Sequence, residues 1–367
     1  MGSRGKRLGG VTREQRQKIK KILNYKKMQH FDSDYMEGAH PLILERLVAH
    51  NMVKTTGYGC DDICAEARKK ILAACGNPDS EVHFLVGGTQ TNATIIKALL
   101  RPHEGVIAAA TGHIAVHESG AIEATGHKVL TLPQHDGKLW AEEIDAYIEH
   151  FYADESFEHM VFPAMVYISQ PTEYGTIYSL SELESIATIC RKWQIPLFMD
   201  GARLGYGLAS AEADFTLEDI ARLCDVFYIG GTKVGALLGE AVVIRKGLVP
   251  RLFTIIKQQG ALLAKGWILG LQFDTLFSNG LYLKIARHAI CEATRLRKGL
   301  EAKGYESYSL SPTNQIFLRL TPQQLTKVKA ATTFTEWDRL PDGDTVIRLA
   351  TSWATRSEDV DELIEML

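Results

Sequence analysis

Two charged side chains stand where two apolar runs stop. Asp200 ends "IPLFMD", and Lys233 follows "DVFYIGGT". Both runs have the β-branched and aromatic composition of buried strands, and both break at glycine. A carboxylate and an amine delivered at the ends of two buried strands can work on one ring. The carboxylate grips a pyridinium N–H and keeps the ring electron-poor, and the amine takes an aldehyde as a Schiff base. Pyridoxal phosphate (PLP) needs both. The small apolar neighbours in "GGTKVGA" favour a desolvated lysine, which stays neutral and nucleophilic more easily. The blander alternatives are a solvated loop lysine, and an Asp200 that pairs with Arg203 or caps a helix.

Two further groups fall at strand ends. Gly87-Gly88-Thr89 lies between "EVHFLV" and the helical pattern "TQTNATIIKALL". Such a turn lets backbone N–H groups and a helix N-terminus approach a phosphate, and Thr89 can add a hydroxyl. By itself a Gly-Gly-Thr segment is more often a simple turn. His113 follows the short run "EGVIAAA", with His117 and Glu118 behind it. The His-x-x-x-His spacing admits zinc, but the inner residues do not match a metalloprotease. Beside the other strand ends, an imidazole stacked on a cofactor ring is the better reading. No metal site is expected.

The elements that must carry these residues alternate between strand and helix. "GHKVLTLP" and "AMVYIS" read as strands, and "AEEIDAYIEHFYADE" as an amphipathic helix. "SLSELESIATICRKW" opens on a cap-like Ser-Leu-Ser-Glu cluster. Near-continuous apolar strands alternating with helices predict an α/β protein with a mostly parallel central sheet covered on both faces. After Gly280 the pattern changes to a long helix, the strand-like "QIFLRL" and "TVIRLA", and a terminal helical "SEDVDELIEML". We therefore expect a basic N-terminal arm over 1–30, a large cofactor-binding domain over 31–279 and a smaller C-terminal α+β domain over 280–367.

The bulk properties exclude little but point one way. The 367 residues are 46% hydrophobic and 23% charged, with a net charge of −3. This is an ordinary globular composition without the basic footprint of a nucleic-acid binder. The local excess in "REQRQKIKKILNYKK" reads as a solvated surface segment. No run suits a membrane span or a secretory signal. The six cysteines have no framework spacing, so reduced thiols in a cytoplasmic protein are the simplest expectation.

Taken together the motifs resemble the low-specificity L-threonine aldolase family, in the aspartate-aminotransferase-like (fold type I) group of PLP enzymes. They run in the family's order over roughly 31–367: "FDSD" at 31–34, "YGCDD" at 58–62, "GGTQTNA" at 87–93, "GHIAVHESGA" at 112–121, "TEYGTIYSL" at 172–180, "DGARLG" at 200–205, "GGTKVGALLGEAVV" at 230–243 and "IRLATSW" at 347–353. The resemblance implies that Lys233 bonds the cofactor aldehyde, Asp200 partners the ring nitrogen, Gly88 and Thr89 bind phosphate and His113 stacks on the ring. It implies Arg203 near cofactor and substrate, and Ser33 and Arg348 on the amino-acid carboxylate. It places Tyr58 in a neighbouring subunit's site and Lys265 near a phosphate-supporting residue across that interface, in a homo-oligomer, usually a tetramer.

The activity so implied is cleavage of the Cα–Cβ bond of β-hydroxy-α-amino acids, threonine or allo-threonine giving glycine and acetaldehyde. The alternative is another fold type I activity, a β-elimination or a transamination. The base for the β-hydroxyl is left open between His113, His159 (near a second family histidine) and a bound water. The departures gather on the aldehyde side: "SQPTEYG" stands where relatives carry an "ENTH"-like turn, and Tyr35-Met36 follow "FDSD".

Overall fold

Ser179 and Glu182 cap the helix Leu180–Trp193 reciprocally, each side chain bonding the other's backbone N–H. This is the capping box its sequence announces, and the buried face Leu183, Ile186, Ala187, Cys190 turns inward. The computed structural model describes residues 28–367. The basic arm expected over 1–30 lies outside the described residues apart from its last three.

The expected strands form one seven-stranded sheet. Its order is Ser80–Leu85, Glu240–Arg245, Val226–Gly230, Leu197–Asp200, Phe162–Ser169, Glu104–Ala109, Val129–Leu132. Glu240–Arg245 is antiparallel to both neighbours, and the other pairings are parallel. The exception has a covalent cause. The connection 231–239 is shorter than the dozen or so residues a parallel crossover needs, so the chain must turn straight back. Alternate residues feed two cores: Phe227 and Ile229 on one face, Val226 and Tyr228 on the other. That explains why these strands read as continuous apolar runs.

A second, four-stranded antiparallel sheet runs Thr335–Arg339, Thr345–Ala350, Gln315–Leu320, Glu306–Ser309. Its two central strands are those legible in the sequence. The polar edge strands "TEWDR" and "ESYS" carry no clear alternation and were not expected. The helix Leu281–Ala302 joins the two halves: Tyr282, Ile285 and Ala289 sit in the large core, Ala293, Leu296 and Leu300 in the small one.

Residues 29–31 pack on the small domain rather than the large one. Gln29–His30 pairs with Thr332–Thr333, Ala350 donates its N–H to the Phe31 carbonyl at 2.7 Å, and Phe31 is buried in the small core. A sheet edge and an aromatic anchor hold these residues against the small domain, and by Ala39 and His40 the chain has returned to the large one, Ala39 in its core and the His40 N–H on the Gly235 carbonyl at 2.8 Å. The position of residues 29–31 carries Asp32, Ser33 and Asp34 to the site.

Candidate active site

The parallel strands end together at Leu85, Ala109, Ser169, Asp200 and Gly230, and the residues beyond those ends line a cavity of about 290 Å³. Carboxyl ends of open α/β sheets are where such clefts form. Close backbone approach makes this possible. A Cβ on Gly201 would lie 1.9 Å from the Tyr228 carbonyl oxygen, so no larger residue fits after Asp200. Gly88, Thr89, His113, Asp200, Arg203 and Lys233 all line the cavity. The helix Gly88–Leu99 opens into it with no side-chain cap on its first turn, which leaves backbone donors for an anion.

Asp200 is buried and held by three donors: Tyr167 Oη at 2.5 Å, Asn92 Nδ2 at 3.1 Å and the Ala202 N–H at 3.0 Å. Burial pushes its pKa up. The His113 charge, the hydroxyls of Tyr167 and Tyr228 and the Ala202 N–H outweigh that, and the net direction is down. Asp200 is therefore built to stay ionised.

Lys233 faces the same space with no ion-pair partner among the described residues; its Nζ lies 5.9 Å from the centre of the Tyr35 ring. Burial, then the Arg203 charge, pushes the amine down to about 8. Glu240 sits opposite Gly230 in the sheet and fixes the loop that carries Lys233. It accepts the Gly231 N–H at 3.0 Å and the Thr232 hydroxyl at 2.9 Å, and burial pushes its pKa up.

His113 is held by two carboxylates. Its Nδ1 meets Glu118 Oε1 at 2.8 Å, and its backbone N–H donates to Glu173 Oε1 at 2.9 Å. Asn92 Nδ2 also donates to Glu118, at 2.7 Å. One amide thus ties the carboxylate behind His113 to Asp200.

A second cavity of about 390 Å³ adjoins the first, reaching Ser33, Trp337 and Arg348. Arg348 has no carboxylate partner among the described residues. Its Nη1 donates to Gln315 at 3.1 Å and its Nη2 to Thr335 at 3.2 Å, while its buried Nε and the buried Ser33 Oγ have no partner among the described residues. Burial, then the charge of Arg203, pushes Arg348 down to about 10. A largely desolvated cation without a directly paired carboxylate, in one cavity with a free hydroxyl, is a site for an anion.

The beta-eliminating lyase family model matches residues 30–321. The chain belongs to this family. A low specificity L-threonine aldolase of Pseudomonas sp. is 31% identical over 270 residues, 71% of this chain and 75% of that protein. The corresponding enzyme of Pseudomonas aeruginosa is 28% identical over 91% of this chain and 96% of its own. Among solved structures, Leishmania major threonine aldolase superposes with a TM-score of 0.89 at 44% identity, covering 92% of this chain and 98% of that one. Thermus thermophilus aspartate aminotransferase, at 16% identity and a TM-score of 0.68 over 99% of both chains, shares the fold. The chain is thus a lyase of the threonine aldolase group on the aminotransferase scaffold.

Three residues singled out in the sequence of this lyase do not line either cavity. Tyr58 and Lys265 are exposed together, on loops joined by a bond from the Tyr58 N–H to the Ala264 carbonyl at 3.1 Å. His159 is exposed and precedes the strand Phe162–Ser169, whose far end reaches the cavity. Eight strand residues at about 3.3 Å each separate it from its own chain's site, so His159 is not brought to the substrate region of its own chain.

Asp34, Asn92, Tyr167, Glu173 and Glu240 also stand at the site, and the sequence does not single them out. Tyr167 left a signal, because a phenol inside a buried strand needs a partner for its hydroxyl. Asn92 and Glu240 left none, since nothing local shows where a helix amide or a strand carboxylate will point.

Proposed function

We propose that this enzyme binds PLP and cleaves β-hydroxy-α-amino acids such as threonine between Cα and Cβ, giving glycine and an aldehyde. The observation that carries the reading is Arg348: a largely buried guanidinium with no carboxylate partner among the described residues, lining one cavity with the unpartnered Ser33 hydroxyl and the amine of Lys233. A cavity that offers a cation, a hydroxyl and an amine suits an amino acid's carboxylate and amino groups. The family membership and the aldolase relatives support the reaction class.

The first cavity fits the cofactor. The uncapped turn at Gly88 and Thr89 would hold its phosphate, Asp200 its ring nitrogen, Lys233 its aldehyde, and His113 would cover the ring. When bound, PLP supplies an electron sink for the pair of a breaking Cα bond. The protein's own part is to choose that bond. Ser33 and Arg348 fix the substrate carboxylate, with Arg203 contributing charge and Nη1, since its Nε and Nη2 are engaged by Asp34. Asp200, kept ionised by Tyr167 and Asn92, holds the ring nitrogen's proton in place. Glu118 fixes the orientation of His113.

The working unit is a homo-oligomer, a dimer or tetramer, in which Tyr58 and Lys265 complete a neighbour's site. The helix Pro41–His50 and the turn after it support this, leaving Val48 78% and Met52 88% exposed. Light scattering should give a multiple of the chain mass.

Product identity tests the reaction. The purified protein with PLP should be yellow, change its absorption on adding glycine or threonine, and release glycine with acetaldehyde. From threonine, 2-oxobutanoate with ammonia, or dependence on a keto acid, would transfer it to elimination or transamination.

A further inference from the structure

The two cavities share five lining residues: Tyr35, His113, Glu173, Arg203 and Lys233. These stand at the seam between the part that fits a cofactor and the part that fits a carboxylate. A substrate with its amine toward Lys233 and its carboxylate toward Arg348 presents its third Cα substituent to the remaining wall, at this seam. Three of the five residues have other tasks, and the fourth, Tyr35, is a phenol. Arg203 is locked onto Asp34, Lys233 is the amine for the aldehyde, and His113 has its Nδ1 on Glu118. Glu173 is the only carboxylate among them.

Glu173 is held in an asymmetric way. Its Oε1 accepts two bonds, from the His113 N–H at 2.9 Å and the Ser169 hydroxyl at 2.7 Å. Its Oε2 takes no hydrogen bond from another described residue and is not shut away from the cavity. One oxygen is anchored and the other is free. The residue is buried and lacks a cationic side chain bonded to it, so burial pushes its pKa up, toward the range in which a carboxylate is a useful general base.

Resting on the aldolase reading above, we propose that Glu173 is a catalytic residue: its Oε2 takes the proton of the substrate's β-hydroxyl as the Cα–Cβ bond breaks. The O–H bond of the substrate is lost and an O–H bond forms on Glu173. The C–O bond becomes the aldehyde C=O, and the pair of the Cα–Cβ bond stays with the amino-acid fragment. Cα then takes up a proton and Glu173 releases one after the aldehyde departs. Threonine becomes glycine and acetaldehyde with no net proton and no oxidant or reductant.

A purely structural Glu173 would only anchor His113 and Ser169, and one substitution separates the two roles. In Glu173→Gln the amide oxygen can keep both Oε1 bonds, while the nitrogen in place of Oε2 cannot accept a proton. With PLP bound, E173Q should keep the visible absorption, its change with glycine, and the exchange of glycine's α-hydrogen with solvent deuterium, which involves no β-hydroxyl. Cleavage of threonine should fall by ~10²–10⁴-fold, the range for loss of a general base, and the acid limb of the kcat/KM profile should vanish. Glu173→Asp, which retains a carboxylate, should recover at least about tenfold of that loss. Wild-type cleavage by E173Q, an equal fall of cleavage and exchange, or an E173D no better than E173Q would each overturn the proposal. A wild-type protein that binds PLP and exchanges glycine but forms no glycine from threonine would instead refute the aldolase reading, and Glu173's role with it.

Discussion

Asp34 and Arg203, 169 residues apart, form a two-pronged ion pair: Nε donates to Oδ2 at 2.7 Å and Nη2 to Oδ1 at 2.9 Å. Asn314 adds a third bond to Asp34, at 2.9 Å. The pair connects the N-terminal segment, the small sheet and the strand-end loop after Asp200. It also decides what Arg203 can do, because most of the guanidinium fork is already engaged when substrate arrives.

Breaking this pair should be costly. Burial raises the pKa of Asp34, but Arg203, Lys233 and the bonds from Arg203 and Asn314 reverse that and hold it well below the usual carboxylate range. The unfolded chain therefore takes the proton first as pH falls. The pair's stabilisation is complete above about pH 4 and is lost as pH falls through the folded value. Asp34→Asn strands a buried cation and should cost about 3–5 kcal/mol near neutral pH. It should also flatten the loss of stability on the acid side. Denaturant titrations at several pH values measure both effects, and equal stability of D34N and wild type would show that the pair contributes little.

Arg348 should show the opposite balance. Its largely buried charge has no directly paired carboxylate among the described residues, so Arg348→Met should raise the melting temperature while raising KM for threonine. Hydrogen bonds to a charged group are worth about 1.5–3 kcal/mol, which is ~10–150-fold in binding. Affinity for PLP should not move, since Arg348 lies in the second cavity. An R348M protein that keeps KM but loses cofactor would place this guanidinium in the wrong role.

Tyr167 should matter through Asp200. Tyr167→Phe removes the shortest of the three donors to that carboxylate, so the pKa of Asp200 rises and its ionised form loses about 1.5–3 kcal/mol of support. Equilibrium titration should then give PLP binding weaker by roughly tenfold or more. Unchanged affinity in Y167F would mean that Asn92 and Ala202 suffice.

What the sequence made legible follows a physical line. Asp200 and Lys233 could be read because each interrupts an apolar run, and a charge there has to be explained. The helix at Ser179 could be read because its cap is local. The bonds from Asn92 to Asp200 and Glu118, and from Arg203 to Asp34, could not. Each joins residues on elements whose neighbours are set by the tertiary fold, and a polar side chain at its own position does not announce a distant partner. The same holds for Glu173, whose surroundings depend on which strand ends meet. His159 is close to the right strand in sequence but stands at the end of it away from its own chain's cavity.

The last prediction concerns Lys233 and the proton it must shed. Burial and the Arg203 charge bring its amine down to about 8, while Asp34, Asp200 and Glu240 pull the other way. Only the neutral amine attacks an aldehyde, so capture of PLP by the cofactor-free protein should accelerate as pH rises through about 8 and then level off. Borohydride reduction should fix the label on the peptide containing Lys233, and Lys233→Ala should retain none. D34N gives a direction. Removing the Asp34 charge takes away a group that raises the lysine's pKa and leaves Arg203 uncompensated, so the capture profile should move to lower pH. Stopped-flow absorbance across the pH range measures this. A shift to higher pH in D34N would mean that the field at Lys233 is set by groups other than Asp34 and Arg203.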